Sequence, residues 1–193
     1  MAINQLLFAG VDVFAGKKPV TFAAIDRELN IFALERWSVP QAISCLKEYE
    51  KIVLALNLAP KKRAFLDFKR RLDLAGLKPF SKTEPREWLE TNAQDCYQAL
   101  IEHELFSRRT VEGRIQRSLI LYDEGFQIPD PMDFFEEVTR HKLMQGVLPL
   151  ENLRSAKELD ALASAYVAWI TINRPNQVDL SSDNFALPKR QES

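Results

Sequence analysis

The sequence predicts an α/β domain: a mixed five-stranded sheet with helices on both faces and a helical insertion before the last core helix. Three observations predict it. Two stretches, Leu6 to Phe14 and Ile52 to Leu56, are almost continuously apolar, as suits strands covered on both faces. Between them lies a hairpin signal, Val20 to Ile25 and Ile31 to Trp37 around the polar turn Asp26 to Asn30. After them, segments of helical spacing alternate with short apolar runs, which calls for layers on both sides of the sheet.

The elements follow in order. The N-terminal run from Ile3 to Phe14 has no cationic n-region, carries Asp12 near its end and is too short to span a bilayer, so it reads as a central strand. The hairpin supplies the second and third strands. Pro40 opens a helix in which Ala42, Ile43, Leu46 and Tyr49 recur at helical spacing, and Ile52 to Leu56 is the fourth strand. Pro60 opens a second helix, with Phe65, Phe68, Leu72 and Ala75 on one face and Gly76 as its stop.

Glu87 to Thr91 makes the fifth strand. Asn92 then caps a helix running to about Leu105, and Val111 to Tyr122 is a further amphipathic helix closed by Gly125. From 126 to 154 the prolines and Gly146 bracket a short helical piece, Met132 to Met144. Its Phe134, Phe135, Val138 and Leu143 need cover, so a packed insertion forming one wall of a cleft is expected. The last core helix starts at Ser155, where Ser155 and Glu158 match a capping box. One domain thus spans 1–173, and 174–193 reads as a polar tail with at most a short strand near Phe185 to Leu187.

Composition sets bounds on function. A chain of 193 residues, 46% hydrophobic and 27% charged, can bury one full core. Its net charge of -1 provides no global attraction to nucleic acid or to an anionic membrane, so such binding would rest on local patches. Cys45 and Cys96 lack the spacing of a redox pair or zinc half-site and read as free thiols of a reducing cytoplasm. His103 and His141 have no partner at zinc spacing. No Gly-rich phosphate loop, dinucleotide fingerprint or nucleophile elbow is present, which argues against a nucleotide cofactor and serine or cysteine hydrolase chemistry. With only 6 glycines and one domain's length, a sugar-kinase-like phosphotransferase is disfavoured too.

What remains is a set of polar residues at the ends of buried elements. Asp12 closes the first strand, Asn57 the fourth, Glu90 lies in the fifth, and Asp160 sits in the first turns of the last helix. A buried acid is costly unless it is paired or bound to metal. Each has a plainer reading: Asp12 as an acceptor of backbone N–H groups, Asn57 as an Asx turn, Glu90 as a solvated edge residue, Asp160 as a helix-dipole partner.

The motifs Gly10 to Asp12, Ala55 to Pro60, Leu89 to Thr91, Arg109 to Arg114 and Glu158 to Trp169 resemble those of an uncharacterised bacterial family of RNase H-like domains, described as predicted nucleases. The resemblance implies the fold of RNase H and the Holliday-junction resolvases. It also implies a Mg²⁺ or Mn²⁺ site on Asp12, Glu90 and Asp160 for hydrolysis of nucleic-acid phosphodiesters. Such chemistry uses hard oxygen ligands around one or two divalent cations, paired ions lying about 3.5–4 Å apart. Asn57 departs from the acid that related sequences often carry at this point. It keeps a coordinating oxygen but removes a charge, so a non-catalytic nucleic-acid-binding or protein-interaction domain is the alternative. Resolvase-like relatives act as dimers, which leaves a dimer open here.

Two basic clusters are candidate nucleic-acid contacts. Lys61, Lys62 and Arg63 open the second helix, and Arg108, Arg109, Arg114 and Arg117 lie around the start of the fourth. Lys17 follows the first strand and can meet a phosphate near Asp12 or merely mark a turn. Lys69 to Arg71 read as a solvated face.

Overall fold

Strand β1 (Leu7–Asp12) is the axis of the molecule. In the computed structural model, which describes residues 5–13, 19–57, 62–101, 103–135, 137–147, 150 and 153–189, it pairs antiparallel with β2 (Val20–Ile25) and parallel with β4 (Ile52–Asn57). β2 pairs antiparallel with the edge strand β3 (Ile31–Trp37), completing the meander. On the other side β4 pairs parallel with β6 (Arg86–Thr91), and β6 with the two-residue β5 (Lys78–Pro79). The sheet is therefore mixed and six-stranded, in the order β3-β2-β1-β4-β6-β5. The sixth strand corrects the expected five: Lys78 and Pro79 form it through register with Glu87 and Trp88, and two residues carry no period to read.

Every residue of β1, β2 and β4 is buried, because helices lie on both faces. Strand alternation divides the core in two. Leu7, Ala9 and Val11 of β1, with Leu54, Leu56 and Trp88, pack under α1 (Val39–Leu46) and α2 (Lys62–Leu74). Phe8, Val53, Ala55 and Leu89 pack under α3 (Ala93–Leu100), α4 (Val111–Asp123) and α6 (Ala156–Asn173). α1 begins at a capping box, Ser38 with Gln41, rather than at Pro40, which sits inside its first turn.

α6 is the central helix of the second layer. It is buried without a break from Leu159 to Thr171, as a helix apolar all round must be. Its backbone comes close to β1 because Gly10 has no side chain: a Cβ there would lie 2.0 Å from the Ala161 carbonyl oxygen and 2.4 Å from the Ala165 nitrogen. The Ser155–Glu158 capping box fixes its start, and Trp169 Nε1 donates to the Arg27 carbonyl at 2.9 Å, tying it to the β2–β3 turn.

Between α4 and α6, a 3-10 turn (Pro131–Phe135) and α5 (Glu137–Met144) form the insertion, which borders a cavity of about 520 Å³ with Leu34, Arg154 and Glu158. Phe134 is half-buried, but Phe135 is 63% exposed, contrary to the expectation that both are covered. A 3-10 turn has about three residues per turn, so consecutive side chains splay apart, and the two rings meet edge-on at 5.6 Å.

Beyond α6 the stretch expected to be a polar tail with at most one short strand carries two strands among its described residues. β7 (Val178–Leu180) and β8 (Ala186–Pro188) form an antiparallel hairpin. The hairpin docks against β6: the Glu90 N–H donates to the Asn184 carbonyl at 2.8 Å, and Thr91 Oγ1 to the Ala186 carbonyl at 2.8 Å. Among the described residues no helix is long and apolar enough to cross a membrane.

Candidate functional site

Three of the four expected residues meet at one place. In the parallel ladder Asp12 stands opposite Asn57, and Asn57 opposite Thr91, at the C-terminal ends of β1, β4 and β6. This is where open α/β sheets usually bind ligands. By alternation Asp12 and Asn57 point to the face that α6 covers, and α6 brings Asp160 there, close enough for the two carboxylates to repel. The close approach at Gly10, two residues before Asp12 and on the same face, sets that proximity.

Glu90 is elsewhere. It is one residue out of phase with Thr91, so its side chain lies on the opposite face with Trp88 and bonds Lys69 Nζ of α2 at 2.5 Å. Lys69 also lies over the Trp88 ring, 4.7 Å from its centroid. The expected trio of Asp12, Glu90 and Asp160 is thus corrected to a pair, and Lys69, expected on a solvated face, is instead the partner of Glu90. Among the described residues no group of three or more His, Cys, Asp or Glu side chains could hold a metal ion.

Asn57 bonds a neighbour at each end of its amide. Its Nδ2 donates to Asp12 Oδ1 at 2.9 Å, and its Oδ1 accepts the Ala93 N–H at 2.9 Å. Ala93 opens α3, so the amide both satisfies a helix-terminal donor and orients the neighbouring carboxylate. An aspartate at this point would set two carboxylates within hydrogen-bond distance. The amide has a structural reason to be there.

Asp160 Oδ2 accepts from Arg108 Nη1 at 2.5 Å. Arg108 lies in the turn between α3 and α4, a loop clamped onto α4 at several points. Gln116 Oε1 accepts the Phe106 N–H, and the fully buried Arg117 donates to the carbonyls of Phe106 and Gly113 and to Gln94 Oε1. Gly113 lets the loop lie close, since a Cβ there would sit 2.0 Å from the Ser107 carbonyl oxygen. Sequence reasoning grouped Arg108 and Arg117 as phosphate contacts. The first instead pairs with Asp160, and the second is an internal brace. No periodic signal marks Arg108, because a loop residue's partner depends on tertiary contacts alone.

The other basic candidates divide. Arg114 donates through Nε and Nη2 to the carbonyls of Leu150, Leu153 and Arg154, holding α4 to the entry of α6. Arg63 and Arg109 are exposed. Lys17 and Lys61, and the side chain of Lys62, lie outside the described residues. His103 and His141 are both exposed, and Cys45 and Cys96 are both free.

Burial governs the electrostatics of the pair. It pushes the Asp160 carboxyl up to about 6, with the Asp12 charge adding to the effect and Arg108 and Arg117 opposing it. Burial outweighs the guanidinium because the Asp160 side chain is 2% exposed while Arg108, at 41%, is partly screened by water. Asp12 is raised too, again by burial, and held down by the Asn57 hydrogen bond and by Lys157 and Arg108.

The sign for stability follows. A carboxyl whose folded value lies above 3.8 holds its proton more firmly in the folded chain, so its favourable contribution is complete below pH 3.8 and is lost as pH rises through about 6. The expected loss is roughly 2–3 kcal/mol across that window. Urea unfolding of wild type and Asp160→Asn between pH 4 and 7 checks this: the difference between them should grow with pH in favour of Asn. A difference that grows in favour of wild type would show the Arg108 pair dominating instead.

Comparison with protein-family models gave no match, and comparison with curated proteins gave none.

Proposed function

We propose that this chain is an RNase H-like domain related to the predicted nucleases, acting on nucleic-acid phosphodiesters through one Mg²⁺ or Mn²⁺ at Asp12 and Asp160. The observation that carries the reading is the meeting of two buried carboxylates, from β1 and α6, at the C-terminal ends of two parallel strands. The fold supports it: an antiparallel meander β3-β2-β1 followed by parallel β4 and β6 is the order expected of that fold class.

The donor set suits one cation. Mg²⁺ commonly rests on one or two protein carboxylates and completes its shell with water and substrate phosphate. Asp12 keeps Oδ2, and Asp160 keeps Oδ1, apart from the oxygens that Asn57 and Arg108 engage. A second ion has fewer donors among the described residues, because Glu90 is on the other face and each end of the Asn57 amide already makes one hydrogen bond. When bound, the ion would polarise a phosphoryl oxygen and lower the pKa of a bound water. The chain's own part is to hold the two carboxylates in a fixed, nearly dry array, with Asn57 setting the Asp12 rotamer. Exposed Arg63 and Arg109 are the remaining candidate contacts to a nucleic-acid backbone. The two free thiols fit work in the reducing cytoplasm.

The test is a thermal titration with Mn²⁺ on wild type and Asp12→Asn. Millimolar Mn²⁺ is expected to raise the wild-type Tm by a few degrees and to leave the variant unmoved. Equal responses would remove the basis of the nuclease reading. A second reading, a nucleic-acid-binding or protein-interaction domain without metal chemistry, is favoured by the structural hydrogen bonds of the Asn57 amide and by Arg108 already pairing with Asp160.

A further inference from the structure

Arg108 meets the site from its open side. Its guanidinium reaches a carboxylate that is 2% exposed, yet its own side chain is 41% exposed, so it enters the site from solvent. The backbone that carries it is fixed by Arg117, Gln116 and Gly113, and Thr110 caps α4 directly behind it. Movement is therefore confined to the side chain, whose long, rotatable stem can leave Asp160 without disturbing the fold.

The charges also balance in two ways. The two carboxylates face the Arg108 guanidinium in a hydrogen bond and feel the charges of Lys157 and Arg117 as well, which is the arrangement without a divalent ion. A divalent ion neutralises both carboxylates by itself, and a guanidinium still bonded to Asp160 would then face a like charge at close range. The ion and the guanidinium therefore oppose one another even where they use different oxygens of Asp160. We propose that Arg108 is a tethered competitor for the divalent ion, holding Asp160 while no ion is bound and leaving it when one arrives. This rests on the reading of Asp12 and Asp160 as a cation site.

The competition also sets selectivity. A weakly held monovalent ion cannot displace a charge-assisted hydrogen bond at 2.5 Å, whereas a divalent ion gaining both carboxylates can. The site is thus closed to the abundant monovalent cations, and opens only to an ion that engages Asp12 and Asp160 together.

The experiment is a Mn²⁺ titration followed by the loss of the free-ion electron paramagnetic resonance signal, on wild type, Arg108→Gln, Arg108→Lys and Asp12→Asn, with far-UV circular dichroism as the folding check. Arg108→Gln removes the competitor and is expected to bind Mn²⁺ at least ten-fold more tightly than wild type. Arg108→Lys, which restores a cation, should return the affinity to within a few-fold of wild type. Binding by Arg108→Gln where wild type shows none would overturn the exchange, because the guanidinium would then never yield to the ion. Equal or weaker binding by Arg108→Gln, with wild type binding and Asp12→Asn not, would overturn the competition and leave the cation site standing. Absence of binding in both wild type and Arg108→Gln would overturn the cation site and the proposal together.

Discussion

Gly10→Ala is expected to cost about 3 kcal/mol or more, lowering Tm by roughly 6–12 °C or preventing folding. The added methyl would lie 2.0 Å from the Ala161 carbonyl and 2.4 Å from the Ala165 nitrogen, and both are backbone atoms of a helix that is buried from Leu159 to Thr171. No side-chain rotation relieves such a contact. The helix would have to move away from β1, opening the packing of Phe8, Ala55 and Leu162 and drawing Asp160 away from Asp12. Gly146→Ala is the comparison: its φ is +74° but nothing lies within 4 Å, so only the left-handed backbone cost of about 1 kcal/mol applies. Urea unfolding of the two variants checks the contrast. Equal losses would mean that α6 shifts cheaply to admit the methyl, since residue 10 lies in ordinary strand backbone and carries no left-handed cost.

Arg117→Met is expected to cost about 3 kcal/mol and to loosen the loop that carries Arg108. Methionine fills a similar volume but leaves the Phe106 carbonyl and the Gln94 side-chain oxygen without this donor, in surroundings where the arginine is 1% exposed, while the Gly113 carbonyl keeps its helical N–H partner. Against this stands the cost of burying a guanidinium that has no carboxylate of its own in hydrogen-bond contact and whose Nε has no partner; burial accordingly lowers its pKa. The hydrogen bonds win because the Phe106 carbonyl and the Gln94 side chain would otherwise lose their donor, and the Tyr97 ring lies 5.5 Å from the guanidinium carbon. Denaturant unfolding gives the stability. Hydrogen exchange at the Phe106 and Thr110 amides reports the loop, and both should exchange faster. Wild-type stability in Arg117→Met would show that the desolvation cost cancels the bonds.

Much of this architecture is legible in the residues. Val20 to Ile25 and Ile31 to Trp37 appear as strands at the expected bounds, because β-branched and aromatic residues flank a turn whose Asp26 side chain accepts from Glu28 and Asn30. The Ser155–Glu158 box marks the start of α6 for an equally local reason. The third helix is different. Its cap at Asn92 was readable, but its end was not: it stops at Leu100 rather than near Leu105, since residues beyond Ile101 are drawn towards the bonds that Gln116 and Arg117 offer to Phe106. Those partners are on another element and leave no trace in a local window.

The site divides along the same line. Asp12 and Asn57 fall side by side because two apolar runs end in them, which is a sequence property. Glu90 illustrates what pattern alone cannot decide. Alternation separates Leu89 and Thr91 from Trp88 and Glu90, but which face receives α6 depends on the packing of the whole layer. Arg108 depends on a chain of such contacts, from α6 to the loop to Arg117, and was the least legible of all.

The docking of α6 onto β1 also has a consequence in time. Trp169 and its acceptor Arg27 are 142 residues apart in sequence, and Asn184 reaches the Trp88 carbonyl across 96. Contacts of such separation form only after a large loss of chain freedom, so folding is slow compared with helical bundles, on the scale of milliseconds to seconds. Until α6 arrives, the nascent sheet exposes Phe8, Ala23, Val53 and Leu89 on one open side. That interval is when the chain is most prone to associate with other copies of itself, and raising the protein concentration during refolding lowers the yield most there.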